Sequence, residues 1–190
     1  IKPNVLVPKN LRFKIDERIL VDGTIFRKID LDSVDNYLDV IKNYQIKSVA
    51  IVLLHSYKNP LHEELLRNYI LDKSPHLHIS LSSEISPIIG EFDRLNTTCA
   101  NAYIQPIAEK YLSDLNNHLC SLGIEKFRLI WSDGGLSSLK ESILTPIRLL
   151  ESGPAGGALA VSALSRSSNN SNCIAFDMGG TTAKICLLKD

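Results

Sequence analysis

Residues 151–190 read ESGPAGGALAVSALSRSSNNSNCIAFDMGGTTAKICLLKD, and this stretch decides the fold. Within it the apolar run 174–176 precedes the hexapeptide DMGGTT at 177–182, and in the strand that follows Ala183, Ile185 and Leu187 alternate with Thr182, Lys184 and Cys186. A short apolar run, a glycine-rich turn and an alternating segment predict a strand, a turn and a second strand. The chain therefore contains a glycine-rich β-hairpin near its C-terminal end.

The turn of this hairpin has the composition of a phosphate-binding loop. Gly179 and Gly180 let backbone N–H groups approach an anion closely, and the hydroxyls of Thr181 and Thr182 add further donors. Asp177, at the end of the first strand, is placed to hold Mg²⁺ or a water bound to it. The alternative is a hairpin whose glycines serve turn geometry alone.

A second glycine cluster, SGPAGG at 152–157, precedes a helical pattern. Glycines ahead of a helix expose N–H donors at the positive end of the helix dipole, which favours an anion. Gly153, Gly156 and Gly157 are therefore candidates for phosphate binding. The same small residues also suit close packing of the helix on a sheet.

A third cluster, SDGG at 132–135, follows the apolar run 127–131. In a doubly wound sheet, ligands bind beyond the carboxyl ends of parallel strands, which makes Gly134 and Gly135 candidates for a ligand site. Tight-turn geometry explains the same two glycines equally well.

Composition limits the classes of function. The 190 residues are 44% hydrophobic, and 21 basic residues balance 21 acidic ones, so we expect no nucleic-acid partner and no anionic-membrane partner. The four cysteines form no metal-binding cluster, and no apolar run reaches membrane-spanning length, so we expect a cytoplasmic protein with free thiols. Because the chain begins with Ile1 and ends just after a strand, we also expect a fragment of a longer polypeptide.

The first half alternates predicted strands and helices. Asp22-Gly23 marks a two-residue hairpin turn, Ser33 caps a helix, and 48–54 reads as a strand buried in a parallel sheet. Asn59-Pro60 begins a second helix, on which we expect His62 to be exposed. A further strand at 77–81 completes an α/β pattern.

A long helix is predicted from about Gly90 to about Leu122, with Pro106 kinking or dividing it and Gly123 ending it. Glu91 and Arg94 lie one turn apart on it, which allows either a surface ion pair or a functional role. The predicted apolar stripe comprises Leu95, Cys99, Ala102, Ile104, Ile107, Tyr111 and Leu115.

Four stretches in this order resemble the hydantoinase A / 5-oxoprolinase family, which includes the β-type subunits of acetone and acetophenone carboxylases. They are EFDR at 91–94 with Thr97 and NAYIQP at 101–106, SDGG at 132–135, SGPAGG at 152–157 and DMGGTTAK at 177–184. The combination is specific, whereas each stretch alone is not. The sequence departs from the family's usual pattern at Asp133, where an asparagine is common.

The resemblance implies an incomplete α/β fold of the ribonuclease-H-like, actin-like ATPase superfamily, which includes actin, Hsp70 and sugar kinases. In that superfamily two domains clamp ATP, and each contributes a phosphate-binding hairpin. On this basis residues 1–80 form the end of the N-terminal region. Residues 81–190 begin the hydantoinase A domain and carry the second hairpin. Because this chain lacks the first hairpin, we expect the isolated chain to bind ATP weakly and to be inactive.

The resemblance also implies an ATP- and Mg²⁺-dependent hydrolase that phosphorylates the carbonyl oxygen of a cyclic amide, such as 5-oxoproline or a hydantoin. On this model Gly179, Gly180, Thr181 and Thr182 hold phosphate oxygens, and Asp177 orients Mg²⁺ or the attacking group. The helix start at 153–157 binds phosphate or the activated substrate, and Gly134 and Gly135 belong to the ATP-binding residues. Glu91 and Arg94 serve as acid/base and anion clamp. A hydantoinase B-type subunit or fused domain is the expected partner. The alternatives are a ketone carboxylase subunit and a non-catalytic ATP-dependent clamp of the Hsp70 or actin kind.

Overall fold

A computed structural model describes residues 5–168 and 172–189 of the chain. The fold is α/β and divides into two compact units, Ile1–Glu109 and Lys110–Asp190. Within the described residues, no helix combines the length and the apolar character needed to cross a membrane.

The first unit pairs two parallel strands and covers them with helices. Its elements in chain order are β1 (Arg18–Ile19), β2 (Ile25–Arg27), α1 (Val34–Asn43), β3 (Ser48–Ile51), α2 (Leu61–Lys73), β4 (His78–Leu81), α3 (Ser82–Ile85) and the start of α4 (Glu91–Ser121). Strands β3 and β4 are parallel, with Ser48 opposite His78 and Ile51 opposite Leu81. The intervening α2 gives this pair the βαβ form that the alternating pattern predicted.

The core of the first unit lies between α1, α2 and the parallel pair. It contains Val34, Ile41, Ile51, Leu66, Ile70, Leu77 and Leu81. Strand β3 ends at Ile51, earlier than predicted, and its first three residues are only half-buried. The β1–β2 hairpin is confirmed, but its loop has three residues rather than two, because Leu20 N–H donates to the Thr24 carbonyl oxygen and Gly23 has φ +91°.

Helix α4 buries polar side chains, contrary to the predicted apolar stripe. Of that stripe only Ala102 is buried, and Leu95, Ile107 and Tyr111 are exposed. Along the first unit the buried face carries instead Arg94, Thr98, Asn101 and Gln105. Ser80 on β4 accepts a hydrogen bond from Asn101 and donates one to Gln105. This pairing explains the buried amides, which a hydrophobicity pattern does not detect.

The course of α4 also differs from the prediction at Pro106. The helix runs from Glu91 to Ser121 as one element, so the proline does not divide it. Gly123, with φ +80°, ends the helix, and Ile124 N–H donates to the Leu119 carbonyl oxygen. The glycine stop is confirmed.

The second unit joins a short hairpin, a helix and a long hairpin. Beyond the remainder of α4, its elements are β5 (Leu129–Ile130), β6 (Leu136–Ser137), α5 (Leu139–Leu144), a 3₁₀ turn (Pro146–Leu149), α6 (Ser152–Ser167), β7 (Asn172–Met178) and β8 (Ala183–Lys189). Both β5–β6 and β7–β8 are antiparallel. Helix α6 packs against β7 and β8. The opposite face of this hairpin exposes Ile174, Phe176, Met178, Ile185 and Leu187.

Candidate functional site

The DMGGTT hairpin has the predicted strand, turn, strand geometry. Strand β7 continues through Asp177 and Met178, so the turn occupies residues 179–182, where Gly179 N–H donates to the Thr182 carbonyl oxygen over 3.0 Å. Asp177 pairs across the ladder with Lys184. All four turn residues are exposed, which leaves their backbone accessible.

Neither glycine of this turn is required by the geometry of the hairpin. Gly179 and Gly180 both have negative φ values, so turn conformation does not demand a glycine at either position. A Cβ atom built on Gly180 would meet nothing within 4 Å, and one on Gly179 would lie 3.8 Å from the Thr182 carbonyl oxygen. The plain-turn explanation therefore does not account for these two residues.

The SGPAGG segment lies inside α6 rather than before it. The helix begins at Ser152, and Glu151 precedes it in the left-handed conformation, with φ +64°. The carboxylate of Glu151 forms an ion pair with the Lys184 ammonium group, which ties the start of α6 to β8. Since Lys184 also lies opposite Asp177, the ion pair brings two of the three glycine motifs close together.

The glycines of α6 separate into two kinds. A Cβ atom on Gly156 would lie 3.3 Å from Ile130 Cδ1, so this glycine permits close packing of α6 on β5. Gly153 and Gly157 have nothing within 4 Å. A glycine inside a helix lowers the stability of that helix by about 1 kcal/mol relative to alanine. Packing does not explain the presence of glycine at these two positions.

The SDGG turn is a tight hairpin turn, and the expectation of a parallel strand end is wrong. It joins the antiparallel strands β5 and β6, with Trp131 N–H donating to the Gly135 carbonyl oxygen. Gly134 has φ +85°, and its Cβ atom would lie 3.0 Å from Leu159 Cδ1. Asp133 Oδ1 accepts a hydrogen bond from Gly135 N–H. Backbone conformation and packing thus account for Gly134, and for Gly135 the reason is local crowding, because its Cβ atom would lie 3.0 Å from Asp133 Oδ1.

A small open cleft of about 270 Å³ lies between this turn and α6. It is lined by Ser132, Asp133, Gly134, Ala155, Ala158, Leu159, Ser162 and Leu188. The SDGG turn and α6 therefore share one surface of the second unit.

Glu91 and Arg94 lie in the first unit and do not pair with each other. Glu91 is exposed in the first turn of α4, where an acidic residue complements the helix dipole. Arg94 is completely buried and donates to the carbonyl oxygens of Leu53 and Ile88. Within the described residues the surface ion pair between Glu91 and Arg94 is not formed.

Sequence reasoning missed a buried polar network around α2. His62, expected to be exposed, is 2% exposed, and its Nδ1 lies 2.8 Å from Glu17 Oε2. The neighbouring Glu63 is fully buried and accepts hydrogen bonds from Leu53 N–H, Ser82 Oγ and Ser83 N–H. A signal was present in the sequence, because His62 lies at helical spacing from two buried residues, Leu66 and Ile70.

The residues around the hairpin fit a nucleotide phosphate with Mg²⁺. Within residues 5–168 and 172–189, no group of three or more His, Cys, Asp or Glu side chains forms a metal site by itself. Mg²⁺ in phosphoryl-transfer sites commonly uses one or two carboxylates together with phosphate oxygens and water. The exposed Asp177, next to an accessible glycine turn, meets that requirement.

The sequence matches two family models that together span most of the chain. The hydantoinase/oxoprolinase model matches residues 94–190, and the model of the hydantoinase/oxoprolinase N-terminal region matches residues 1–73. The chain belongs to the hydantoinase/oxoprolinase family.

Two similar proteins illustrate how much of a family member this chain represents. An uncharacterized protein of Methanocaldococcus jannaschii is 38% identical over 96% of this chain and 27% of its own length. The 5-oxoprolinase of Saccharomyces cerevisiae is 36% identical over 85% of this chain and 12% of its own length. This chain therefore spans only a minor part of the relatives that it matches.

Two solved structures share the fold. The ATP-dependent caprolactamase of Pseudomonas jessenii superposes with a TM-score of 0.86 at 30% identity, over 97% of this chain and 27% of that chain. The nucleotide-free acetone carboxylase gives a TM-score of 0.84 at 28% identity, over 98% and 27%.

Proposed function

We propose that this chain is part of an enzyme that uses ATP to open a cyclic amide such as 5-oxoproline or a hydantoin. The observation that carries the proposal is the DMGGTT turn, because Gly179 and Gly180 are required neither by backbone conformation nor by packing. Close approach of a ligand to the backbone is the remaining physical reason for glycine there.

The reaction meets a specific chemical difficulty. Resonance makes an amide carbonyl a poor electrophile, so unaided hydrolysis is slow. Transfer of the γ-phosphoryl group of ATP to the carbonyl oxygen activates the carbonyl carbon. One water adds to that carbon and the ring C–N bond breaks, which leaves an acyl phosphate and a released N–H group. A second water then cleaves the acyl phosphate, which yields the ring-opened carboxylate and phosphate beside the ADP released in the first step. The protein contributes positioning and charge neutralisation.

The second unit supplies the phosphate-binding groups of the proposal. Backbone N–H groups of Gly179 and Gly180, with the hydroxyls of Thr181 and Thr182, would hold phosphate oxygens. Asp177 would bind Mg²⁺, which neutralises phosphate charge in such reactions. Lys184, to which the sequence motif assigned no role, adds a cation beside Asp177.

The other predicted site residues divide between two roles. Gly153 and Gly157 are open at the start of α6 and would allow a phosphate or the activated substrate to approach. Gly134, Gly135 and Gly156 shape the surrounding turns and packing. Glu91 remains a predicted acid/base, and Arg94 a predicted anion clamp. A hydantoinase B-type subunit or fused domain is the proposed partner for the hydrolytic step.

Lactam-dependent ATP hydrolysis by the full-length protein tests this function. We expect phosphate release to rise when 5-oxoproline or a hydantoin is added, since the nucleotide is consumed only when a carbonyl oxygen accepts the phosphoryl group. An identical rate with and without these compounds, and with and without ketones, would reject the enzyme function and favour the ATP-dependent clamp.

The substitution Asp177→Asn tests the assignment within the site. It should lower ATP turnover by orders of magnitude and leave the fold intact, because Asp177 is exposed and its loss leaves no buried partner. Asp39→Asn, on the exposed face of α1, is the matched control and should change neither property. Near-normal turnover of Asp177→Asn would assign this residue to the hairpin alone.

The likeness to acetone carboxylase favours a second candidate, an ATP-dependent carboxylase subunit. This enzyme would transfer phosphate to bicarbonate or to an enol. Phosphate release that depends on a ketone together with bicarbonate, and not on a lactam, would select it.

A further inference from the structure

The turn after β3 holds His55 in a backbone conformation that few residues adopt. Its φ is +58°, in the left-handed region, which is unfavourable for a residue other than glycine. Its carbonyl oxygen accepts hydrogen bonds from Lys58 N–H over 2.9 Å and from Asn59 N–H over 3.3 Å, which close the turn. Residues under such strain cluster at functional sites, where the surrounding contacts compensate for it.

Two side-chain contacts anchor this turn to the rest of the first unit. The buried Ser56 hydroxyl shares a hydrogen bond of 2.9 Å with the buried hydroxyl of Ser82, the first residue of α3. Asn59 Nδ2 donates to the Gly23 carbonyl oxygen, in the loop between β1 and β2, over 2.9 Å. The turn is therefore attached to two separate parts of the unit, and it presents the His55 side chain from a fixed support.

The imidazole of His55 has one ring nitrogen in contact with a partner and one without. Nδ1 lies 3.4 Å from the Tyr57 hydroxyl, and the two rings meet edge to face with their centres 5.9 Å apart. Among the described residues, no hydrogen-bond or ion-pair partner contacts Nε2, and the side chain is only half-buried. An imidazole that is oriented through one nitrogen and free at the other has the arrangement of a general acid or base.

His55 also lies at the edge of a parallel sheet where ligands commonly bind. It follows β3, and Ser83 follows β4, so both residues lie beyond the carboxyl ends of the parallel strand pair. Ser83 Oγ is buried at this edge, and no described residue supplies it with a hydrogen-bond partner. Buried hydroxyls normally have a partner, so a polar ligand bound at this edge would complete the one that Ser83 lacks.

The proposed reaction requires a proton donor for the ring nitrogen. The carbonyl oxygen accepts the phosphoryl group, but the nitrogen of the C–N bond cannot leave as an anion, because the anion of an amine is far too basic. The nitrogen must therefore gain a proton as the bond breaks. A positioned general acid accelerates such a transfer by about 10²–10⁴-fold.

We propose that His55 is this general acid, acting in its protonated form through Nε2. The inference rests on the proposed function and adds a catalytic residue to it. Once water has added to the activated carbon, the electron pair of the C–N bond passes to nitrogen, which takes the Nε2 proton. The hydroxyl group left by the water then loses its proton to His55 as the carbonyl re-forms. This step yields the acyl phosphate and the free amine.

Tyr57 acts in this step as a positioning residue. In the protonated ring both nitrogens are donors, so Nδ1–H donates to the Tyr57 hydroxyl oxygen and fixes the direction of Nε2.

Rapid-quench measurements on the full-length protein separate the ring-opening step from phosphoryl transfer. ADP and the ring-opened product are measured in a single turnover with 5-oxoproline, or with hydantoin if only that ring stimulates wild-type turnover. We expect His55→Asn to form ADP at the wild-type rate and to release the opened product about 100- to 10,000-fold more slowly. Asparagine accepts left-handed backbone more readily than most residues, so the turn should be retained.

Two further variants complete the test. Tyr57→Phe should slow product release about 2- to 10-fold, the effect of one hydrogen bond, and leave ADP formation unchanged. His76→Asn, at an exposed histidine, is the matched control and should change neither rate. Equal slowing of both steps in His55→Asn, or slowing of neither, would overturn the assignment of His55. If His55→Asn does not fold, unchanged product release in Tyr57→Phe has the same meaning.

The two proposals fail in different ways. Lactam-stimulated ADP formation in the wild type, without separation of the two steps in His55→Asn, retains the cyclic-amide function and rejects the general acid. Absence of lactam-stimulated ADP formation in the wild type rejects the cyclic-amide function and the assignment of His55 with it.

Discussion

The glycines of the second unit allow stability and activity to be separated by single substitutions. Gly134→Ala should destabilise the protein, because the new Cβ atom meets Leu159 Cδ1 at 3.0 Å and the backbone has φ +85°. Left-handed backbone costs a non-glycine residue about 1–2 kcal/mol. Rotation of the half-exposed Leu159 side chain out of its preferred rotamer adds about 1 kcal/mol. The expected loss is therefore about 2–3 kcal/mol.

Gly157→Ala is the matched substitution with the opposite expected sign. Nothing lies within 4 Å of the new Cβ atom, and alanine favours a helix interior by about 1 kcal/mol over glycine. For a domain of this size, each kcal/mol of unfolding free energy shifts the thermal unfolding midpoint by about 2–4 °C. The midpoint should therefore fall by about 4–12 °C for Gly134→Ala and rise by about 2–4 °C for Gly157→Ala.

Thermal scans and ATP hydrolysis of the full-length protein, measured side by side, complete the test. If Gly157 borders the phosphate site, its alanine variant should be more stable and yet less active, since the methyl group occupies the space that the ligand needs. An unchanged midpoint for Gly134→Ala, or a lowered one for Gly157→Ala, would refute the division of these glycines into packing and open positions. Full activity of Gly157→Ala would remove that residue from the proposed site.

Two further predictions concern single titratable groups. The backbone N–H of Ser138, and to a smaller extent its hydroxyl, donate hydrogen bonds to Glu141 and lower the pKa of this carboxyl group below its usual 4.5. The ionised Glu141 therefore stabilises the folded protein above pH 4.5, and this stabilisation is lost as the pH falls through the lowered pKa. The difference in thermal unfolding midpoint between wild type and Glu141→Gln should therefore become smaller from pH 7 to pH 3. A difference that stays constant over this range would contradict the prediction. Burial raises the pKa of the Cys99 thiol, so iodoacetamide at pH 8 should label Cys99 more slowly than the exposed Cys120. Peptide mapping measures both rates, and equal labelling would refute the expectation.

The hairpins and helix ends could be predicted from the sequence because their chemistry is local. Gly23 specifies a turn and Gly123 a helix end through their positive φ values, and the apolar run and the alternating strand on either side of residues 177–182 specify the second hairpin. The exact loop length at residue 22 escaped prediction, since it depends on which ladder hydrogen bond closes the turn.

The buried face of α4 could not be predicted in the same way. Arg94, Asn101 and Gln105 are buried because carbonyl and hydroxyl groups from β3 and β4, distant in sequence, satisfy their donors and acceptors. A hydrophobicity pattern carries no information about such distant partners and selected the apolar Ile107, which is exposed.

The candidate site could be predicted only in part from the sequence, for a related reason. The sequence identified all three glycine clusters, but the backbone conformation of each glycine depends on the folded structure. Gly134 has a positive φ that requires glycine, whereas Gly180 does not. The ion pair between Glu151 and Lys184 links residues that are far apart in the chain, so no local pattern indicated that two of the clusters meet.

Glu63 has a consequence for how the first unit opens. Its single carboxylate holds the amide hydrogens of Leu53 and Ser83, which belong to different segments of the chain. Neither segment can detach alone without leaving the buried carboxyl group of Glu63 short of a donor, so local fraying beyond the ends of β3 and β4 is suppressed. The two amides should exchange with solvent deuterium slowly and at matching rates, as members of one cooperative unit. The carboxylate thus joins the ends of two strands into a single opening event.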